Sequence, residues 1–323
     1  MVVGIEDIRA AASRLNGHAV RTPLLESPRL GERIGGRLLI KPECLQKTGS
    51  FKFRGAYNTL SSMDPEVRGK GVLAYSSGNH AQGVALAARM FGVSATIIMP
   101  EDAPEMKKRN TAEYGAEVVL YDRYADSREE LGERLQTERD LTLVKPYDQA
   151  SVIAGQGTVG LEIAQQCADI GVQPEVLVCP AGGGGLISGT SLAMQAAFPD
   201  VVAHPVEPEG FDDWARSLAM GQRTGNDPDA RSICDAIVTP MPGELTFPIG
   251  RETLSAGISV SDDEVLAAMK TAFTELKLVV EPGGCVALAA ILSGKIDISG
   301  RTAVCVLSGG NVDPEVFQRA LAA

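Results

Sequence analysis

A chain of 323 residues, 44% hydrophobic and 22% charged, has room for well-formed cores and more than one domain. Its 30 Lys and Arg stand against 41 Asp and Glu, a net charge of -11, and a field of that sign argues against nucleic acid or an anionic membrane surface as a partner. No stretch approaches a membrane span, the start Met1-Val2-Val3-Gly4 lacks the basic and apolar parts of a signal peptide, and the six cysteines form no C-x-x-C pair, so a cytoplasmic protein with reduced core thiols is expected.

The first apolar strand is expected at 38–40, followed by the run Gln46-Lys47-Thr48-Gly49-Ser50-Phe51-Lys52-Phe53-Arg54-Gly55. Lys52 between two phenylalanines loses hydration if this segment is buried, which lowers its pKa and favours the nucleophilic free amine. Such an amine forms Schiff bases with carbonyl compounds. A strand at 71–75 then leads into Ser76-Ser77-Gly78-Asn79-His80 and a helix over 80–91. Two hydroxyls, an amide and the free N–H groups of a helix start make a seat for a carboxylate, although a plain capped loop has the same composition.

Strands at 95–99 and 118–120, helices over 127–139 and 157–169, and a strand at 176–179 come next. Most of these strands are continuously apolar, as strands covered on both faces are. Their alternation with helices predicts an α/β fold with parallel sheets, right-handed crossovers and ligands gathered at the carboxyl ends of strands. After 176–179 stands Pro180-Ala181-Gly182-Gly183-Gly184-Gly185-Leu186, where four successive glycines let the backbone fold around an anion ahead of a helix. This reads as a phosphate cup. Its spacing is neither the dinucleotide fingerprint nor the nucleoside-triphosphate loop.

A strand at 202–206 leads to the acidic loop Glu207-Pro208-Glu209-Gly210-Phe211-Asp212-Asp213. The helix expected over 262–276 opens on Ser261 with Glu264 three residues later, a capping box. Glu281, in Val280-Glu281-Pro282-Gly283-Gly284-Cys285, either lines the cavity formed by these loops or caps the helix that follows. The last strand, 303–307, ends in Ser308-Gly309-Gly310-Asn311, a hydroxyl placed to reach a ring heteroatom of a bound cofactor.

Taken together, the Lys52 run, Ser76-Ser77-Gly78-Asn79-His80, the four glycines and the Ser308 loop resemble the serine/threonine dehydratase and serine racemase family, pyridoxal-phosphate enzymes of fold type II. The order and spacing match over nearly the whole chain. The resemblance implies two domains, each with a mostly parallel sheet flanked by helices, as in tryptophan synthase β: a large cofactor-binding domain of residues 1–60 and 150–323 and a small domain of 61–149. It implies that Lys52 holds pyridoxal 5′-phosphate as a Schiff base and then acts as the base at Cα. Phe51 would pack beside the ring, Asn79 would meet the ring hydroxyl, and Gly182, Gly183, Gly184 and Gly185 would hold the phosphate. Glu281 would border the cofactor and Ser308 would face the pyridine nitrogen, where a neutral hydroxyl makes the ring a weaker electron sink and favours prompt β-elimination.

By the same resemblance, Ser77 lies on the face opposite the lysine, and Ser76, Ser77, Asn79, His80 and Arg128 receive the substrate. Glu207 and Asp213 through their carboxylates and Phe211 through its carbonyl resemble the family's divalent-cation site, an all-oxygen set suited to Mg²⁺ or Ca²⁺; an acidic loop on an acidic protein is the other reading. The implied activity is ammonia-lyase (dehydratase) chemistry on threonine or serine, giving a 2-keto acid and ammonia. 3-Hydroxyaspartate dehydration and serine racemisation are the alternatives, and a homodimer is expected. The chain stops at Ala323, which leaves no room for the C-terminal regulatory domain of biosynthetic threonine dehydratases, so feedback inhibition by isoleucine is not expected. Lys145 replaces a residue that is more often apolar or histidine, and Cys234-Asp235-Ala236 replaces Ala-Asp-Gly. An extra cation such as Lys145 would suit a second substrate carboxylate.

Overall fold

The computed structural model describes residues 2–103, 105–122 and 125–323. Among the described residues, ten strands fall into two sheets. The larger takes β1 (Leu25–Glu26), β2 (Arg37–Pro42), β7 (Val176–Pro180), β8 (Val202–Pro208), β9 (Ile258–Val260) and β10 (Thr302–Leu307), in the order β1-β2-β10-β7-β8-β9. The smaller takes β3 (Val72–Tyr75), β4 (Ala95–Pro100), β5 (Glu117–Tyr121) and β6 (Thr142–Leu143), in the order β5-β4-β3-β6. Every pairing is parallel except the short edge strand β1 on β2.

The two-residue period of a strand explains why these runs are apolar throughout. Leu38, Ile40, Val176, Val178, Cys305 and Leu307 point into one buried cluster, shared with the helices Asp262–Thr271 and Pro282–Leu292. Their neighbours Leu39, Leu177, Cys179, Val304 and Val306 point into the opposite cluster, shared with the helices Ala150–Asp169 and Gly185–Ala197. The smaller sheet divides likewise: Val72, Ala74, Ile97 and Met99 face Phe53, Leu60 and Val84, whereas Leu73 and Ile98 face Leu135 and Leu141.

Several boundaries differ from the sequence reading. The helix expected over 157–169 begins two turns earlier, at Ala150, and the one expected over 262–276 is α-helical to Thr271 and then widens to a π turn over Ala272–Leu276. The Ser261–Glu264 capping box is present. Strand β8 extends through Glu207 and Pro208, so Glu207 is a strand residue and not part of a loop. All six cysteines are free, five of them buried.

Candidate active site

Lys52 opens the helix Lys52–Ser62, and the turn before it is stitched to the loop after β10. Phe51 N donates to Ser308 O at 3.1 Å and Gly310 N to Gly49 O at 2.9 Å, which sets Lys52 beside Ser308. One turn on, the fully buried Arg54 donates to Glu43 at 2.7 and 2.8 Å and to Glu162 at 2.7 and 2.9 Å, tying the helix start to the end of β2 and to the helix Ala150–Asp169. With both acids engaged, the guanidinium's burial is compensated. The Lys52 Nζ donates to Pro146 O at 2.8 Å and lies 5.2 Å from the centre of the Phe51 ring. Desolvation pulls its pKa down to about 8, against a smaller opposing pull from the Glu281 charge. The shift brings the free amine closer to reach, although at neutral pH Lys52 is still mostly protonated.

Lys52, Phe51 and Ser308 share the wall of a narrow cleft of about 40 Å³ with Gly182 to Gly185, Tyr147 and Gln156. A larger depression of about 500 Å³, between Ser27 and Arg301 at the edge of the larger sheet, is open to solvent and shares none of these residues. The smaller one is the candidate site, since it brings Lys52, Ser308 and the glycine loop together.

The glycine loop leaves β7 and ends at Gly184, whose φ of 96° caps the helix Gly185–Ala197. A Cβ on Gly183 would collide with the Tyr147 ring, and one on Gly184 with Trp214. The loop's carbonyls are taken from behind: Gly182 O accepts from Trp214 Nε1 at 2.6 Å, and Gly183 O accepts from Thr246 Oγ1 at 2.6 Å and from Gly243 N at 3.2 Å. In a trans peptide the N–H points opposite to the C=O, so the N–H groups of Gly183 and Gly184 turn away from those partners. Among the described residues neither N–H has an acceptor. Two free N–H groups at a helix N-terminus on a cleft wall form an anion seat.

The loop after β3 carries Ser76 and Ser77, and Asn79 opens the helix Asn79–Phe91. Ser76 N donates to Ile98 O at 3.1 Å and its Oγ accepts from Gly78 N at 3.2 Å, which holds the loop's shape. Asn79 Nδ2 donates to Glu281 Oε1 at 2.6 Å. Glu281 is nearly fully buried and burial raises its pKa to about 7, the Asn79 bond opposing. Its side chain makes no cap to the helix Pro282–Leu292, so the capping alternative does not hold.

His80 is not among the residues that line the cleft. It is buried, one ring nitrogen bonds Val144 O at 2.8 Å, and burial with the nearby Lys52 charge drives its pKa down to about 3, which keeps it neutral. Arg128 is exposed, its guanidinium 5.5 Å from the Tyr75 ring centre. Lys145 is exposed, and it does not line the cleft.

The acidic segment is compact. Both Glu207 oxygens accept backbone N–H groups, Oε1 from Trp214 at 3.0 Å and Oε2 from Ala215 at 3.1 Å, at the start of the helix Asp213–Met220. Asp213 Oδ2 is buried with no hydrogen-bond partner. Burial pushes both carboxyls up, Glu207 well above its ordinary range with Asp213 contributing, and Asp213 to about 6. Phe211 N donates to Pro208 O at 3.0 Å, folding the segment back on itself. Among the described residues no group of three or more His, Cys, Asp or Glu converges to hold a metal.

The chain that places a lysine amine, an anion seat and a strand-end serine around one cleft matches, over residues 15–309, the family model described as pyridoxal-phosphate dependent enzyme. The chain belongs to that family. It is 44% identical over 311 residues to an L-threo-3-hydroxyaspartate ammonia-lyase from Pseudomonas, covering 96% of each chain. It is 40% identical over 320 residues to an L-threonine ammonia-lyase from Thermotoga maritima, covering 98% of this chain and 78% of that one. Among solved structures, maize serine racemase superposes with a TM-score of 0.93 at 37% identity, covering 100% of this chain and 98% of the other. The fold is that of the family's type II enzymes.

The residues present fit the family's cofactor. The partnerless N–H groups of Gly183 and Gly184 suit its phosphate, the Lys52 amine its aldehyde, and Ser308 lies on the same wall. Three contributors escaped the sequence reading. Gln156 is a polar residue in a run of glycines and apolar residues, and its Oε1 is buried without a partner; Tyr147 covers Gly183; Trp214 backs the glycine loop. Gln156 and Tyr147 carried a signal as lone polar and aromatic residues near motifs, whereas Trp214 carried none.

Proposed function

We propose that this protein is a pyridoxal-phosphate-dependent ammonia-lyase that converts a small 3-hydroxy-L-amino acid to a 2-keto acid and ammonia. The observation that carries the reading is the Lys52 amine, pulled down to about 8 and set in one cleft with the partnerless N–H groups of the glycine loop. When bound, the cofactor supplies an aldehyde for an amine and an electron-withdrawing ring. Lys52 would hold that aldehyde and, once freed by the substrate amine, would take the proton from Cα. Gly182, Gly183, Gly184 and Gly185 would hold the phosphate, Phe51 would pack beside the ring, and Asn79, held by Glu281, would meet the ring hydroxyl. Ser308 would meet the ring nitrogen as a neutral partner, Ser76 and Ser77 would seat the substrate carboxylate with Arg128 near it, and Ser77 would serve the face opposite Lys52.

Threonine and serine are the default substrates. L-threo-3-hydroxyaspartate is the second reading, favoured by the 44% identity to the Pseudomonas enzyme named for it. Ammonia release across L-serine, L-threonine and the hydroxyaspartate diastereomers tests both. Turnover of at least one supports the lyase reading, turnover of hydroxyaspartate alone selects the second, and release from none of them overturns both.

Glu207, Asp213 and the Phe211 carbonyl bind a divalent cation, Mg²⁺ or Ca²⁺, in a structural role. The buried, partnerless Asp213 Oδ2 supports this, since a cation would satisfy it and relieve the repulsion with Glu207. A homodimer, a cytoplasmic location, and a division into a large domain of 1–60 and 150–323 and a small one of 61–149 complete the proposal.

A further inference from the structure

Trp214 is the chain's single tryptophan and is fully buried. Its main chain belongs to the acidic segment, where its N–H and that of Ala215 divide the two Glu207 oxygens between them. Its side chain reaches the other way: the indole Nε1 donates to Gly182 O, the first carbonyl of the glycine loop, at 2.6 Å. The ring fills the space where Cβ atoms on Gly184 and Gly250 would stand and lies 6.0 Å from the Phe247 ring. Trp214 does not line the cleft. One residue therefore joins the acidic pair to the back of the anion seat.

Peptide planarity gives this bond a consequence beyond packing. Holding the Gly182 carbonyl on the far side fixes the Gly183 N–H on the near side, and Thr246 does the same for the next peptide through Gly183 O at 2.6 Å. An anion seat gains affinity when its donors are fixed before the anion arrives.

We propose that Trp214 is a positioning residue for the cofactor's phosphate, its indole N–H orienting the Gly183 peptide, and that Glu207 acts on the phosphate seat by fixing the backbone of this same residue. The inference rests on the reading of the cleft as a pyridoxal-phosphate site. It differs from a space-filling role in one respect: the N–H matters separately from the ring.

A chain with one tryptophan allows a clean test. Biosynthetic replacement of tryptophan by β-(3-benzothienyl)alanine keeps the bicyclic shape and puts sulfur in place of the N–H, and Trp214→Phe is the genetic counterpart. Each holoenzyme is dialysed against graded pyridoxal 5′-phosphate or against pyridoxal, which keeps the ring and aldehyde and lacks the phosphate. Visible absorbance of the bound ring reads the dissociation constants. Both changes are expected to raise the constant for pyridoxal 5′-phosphate about three- to tenfold, the range of one hydrogen bond, and that for pyridoxal by under about twofold. Equal weakening of the two ligands, or weakening of neither, overturns the proposal, and the isostere decides if Trp214→Phe does not fold.

The coupling to Glu207 is tested by combination. Glu207→Gln is expected to weaken pyridoxal 5′-phosphate in the native background and to add under about twofold in the benzothienyl background, whereas effects that multiply independently overturn that part. If the unaltered protein binds neither ligand, the cofactor reading itself fails and takes this inference with it.

Discussion

Asn79 donates from Nδ2 to Glu281 Oε1 at 2.6 Å, a bond that joins the helix after β3 of the smaller sheet to the helix that packs on the larger one. The other end of the same amide, Oδ1, accepts from Asn311 Nδ2 at 2.7 Å, and that nitrogen also donates to Thr48 O at 2.8 Å. Both ends of Asn79 are therefore committed, which fixes its orientation. The arrangement places a nearly dry carboxyl close to Lys52.

That carboxyl gives a pH dependence of stability in the cofactor-free protein. Glu281 has a folded pKa of about 7 against an ordinary value of 4.5, so the native state binds more protons than the unfolded one between them. Its contribution is full below about 4.5 and is lost as pH rises through about 7, with a slope of at most about 1.4 kcal/mol per pH unit. Lys52, lowered from 10.5 to about 8, acts in a separate window and adds stability as pH rises from about 8 to 10.5. Thermal melts between pH 5 and 7.5 should show a fall in Tm that is flatter in Glu281→Gln. An identical slope in the two proteins would show that Glu281 is not the titrating group.

Ser77 is proposed to serve the cofactor face opposite Lys52. On that proposal, Ser77→Ala is expected to suppress racemisation of serine by about a hundredfold or more, the usual worth of a positioned proton donor, and elimination from the L-isomer far less. Chiral analysis of serine alongside keto-acid release measures both. Equal loss of the two activities would mean that Ser77 chiefly seats the carboxylate.

The acidic pair makes removal of a cation measurable. Two neighbouring buried carboxyls, one with a partnerless oxygen, should cost stability when stripped of a counter-charge. Extensive chelation is expected to lower both Tm and activity, Mg²⁺ or Ca²⁺ to restore them, and Asp213→Asn to blunt the response while the cofactor's visible absorbance stays. A chelated enzyme with full activity and an unchanged Tm would remove the cation from the account and leave the cofactor in place.

Sequence and structure agree most where the local signal was physical and complete. Runs such as 176–179 and 303–307 are apolar at every position because alternate side chains enter different cores, and their strands were legible. The first two turns of Ala150–Asp169 were not, because glycine weakens a helix signal and what calls for Gly155 is the close approach of the Arg54 carbonyl, a contact distant in sequence. Strands β6 and β9 have two and three residues, too short to carry a period. In the candidate site, Lys52, the glycines and Ser308 were legible because each stands at the end of a readable strand or the start of a helix. The motif around His80 said nothing of the Val144 carbonyl that takes one ring nitrogen, and Trp214 was missed because its partner Gly182 lies 32 residues away.

The most direct measurement is keto-acid release by Lys52→Ala, read together with the visible spectrum, on whichever hydroxy amino acid the native protein turns over best. Lys52 is the group assigned both to hold the cofactor and to take the Cα proton. The variant should therefore lose the bound-cofactor absorbance and at least about a thousandfold in kcat, within the range that a general base supplies. A folded Lys52→Ala protein with near-native kcat and a native visible spectrum would contradict the account at its centre.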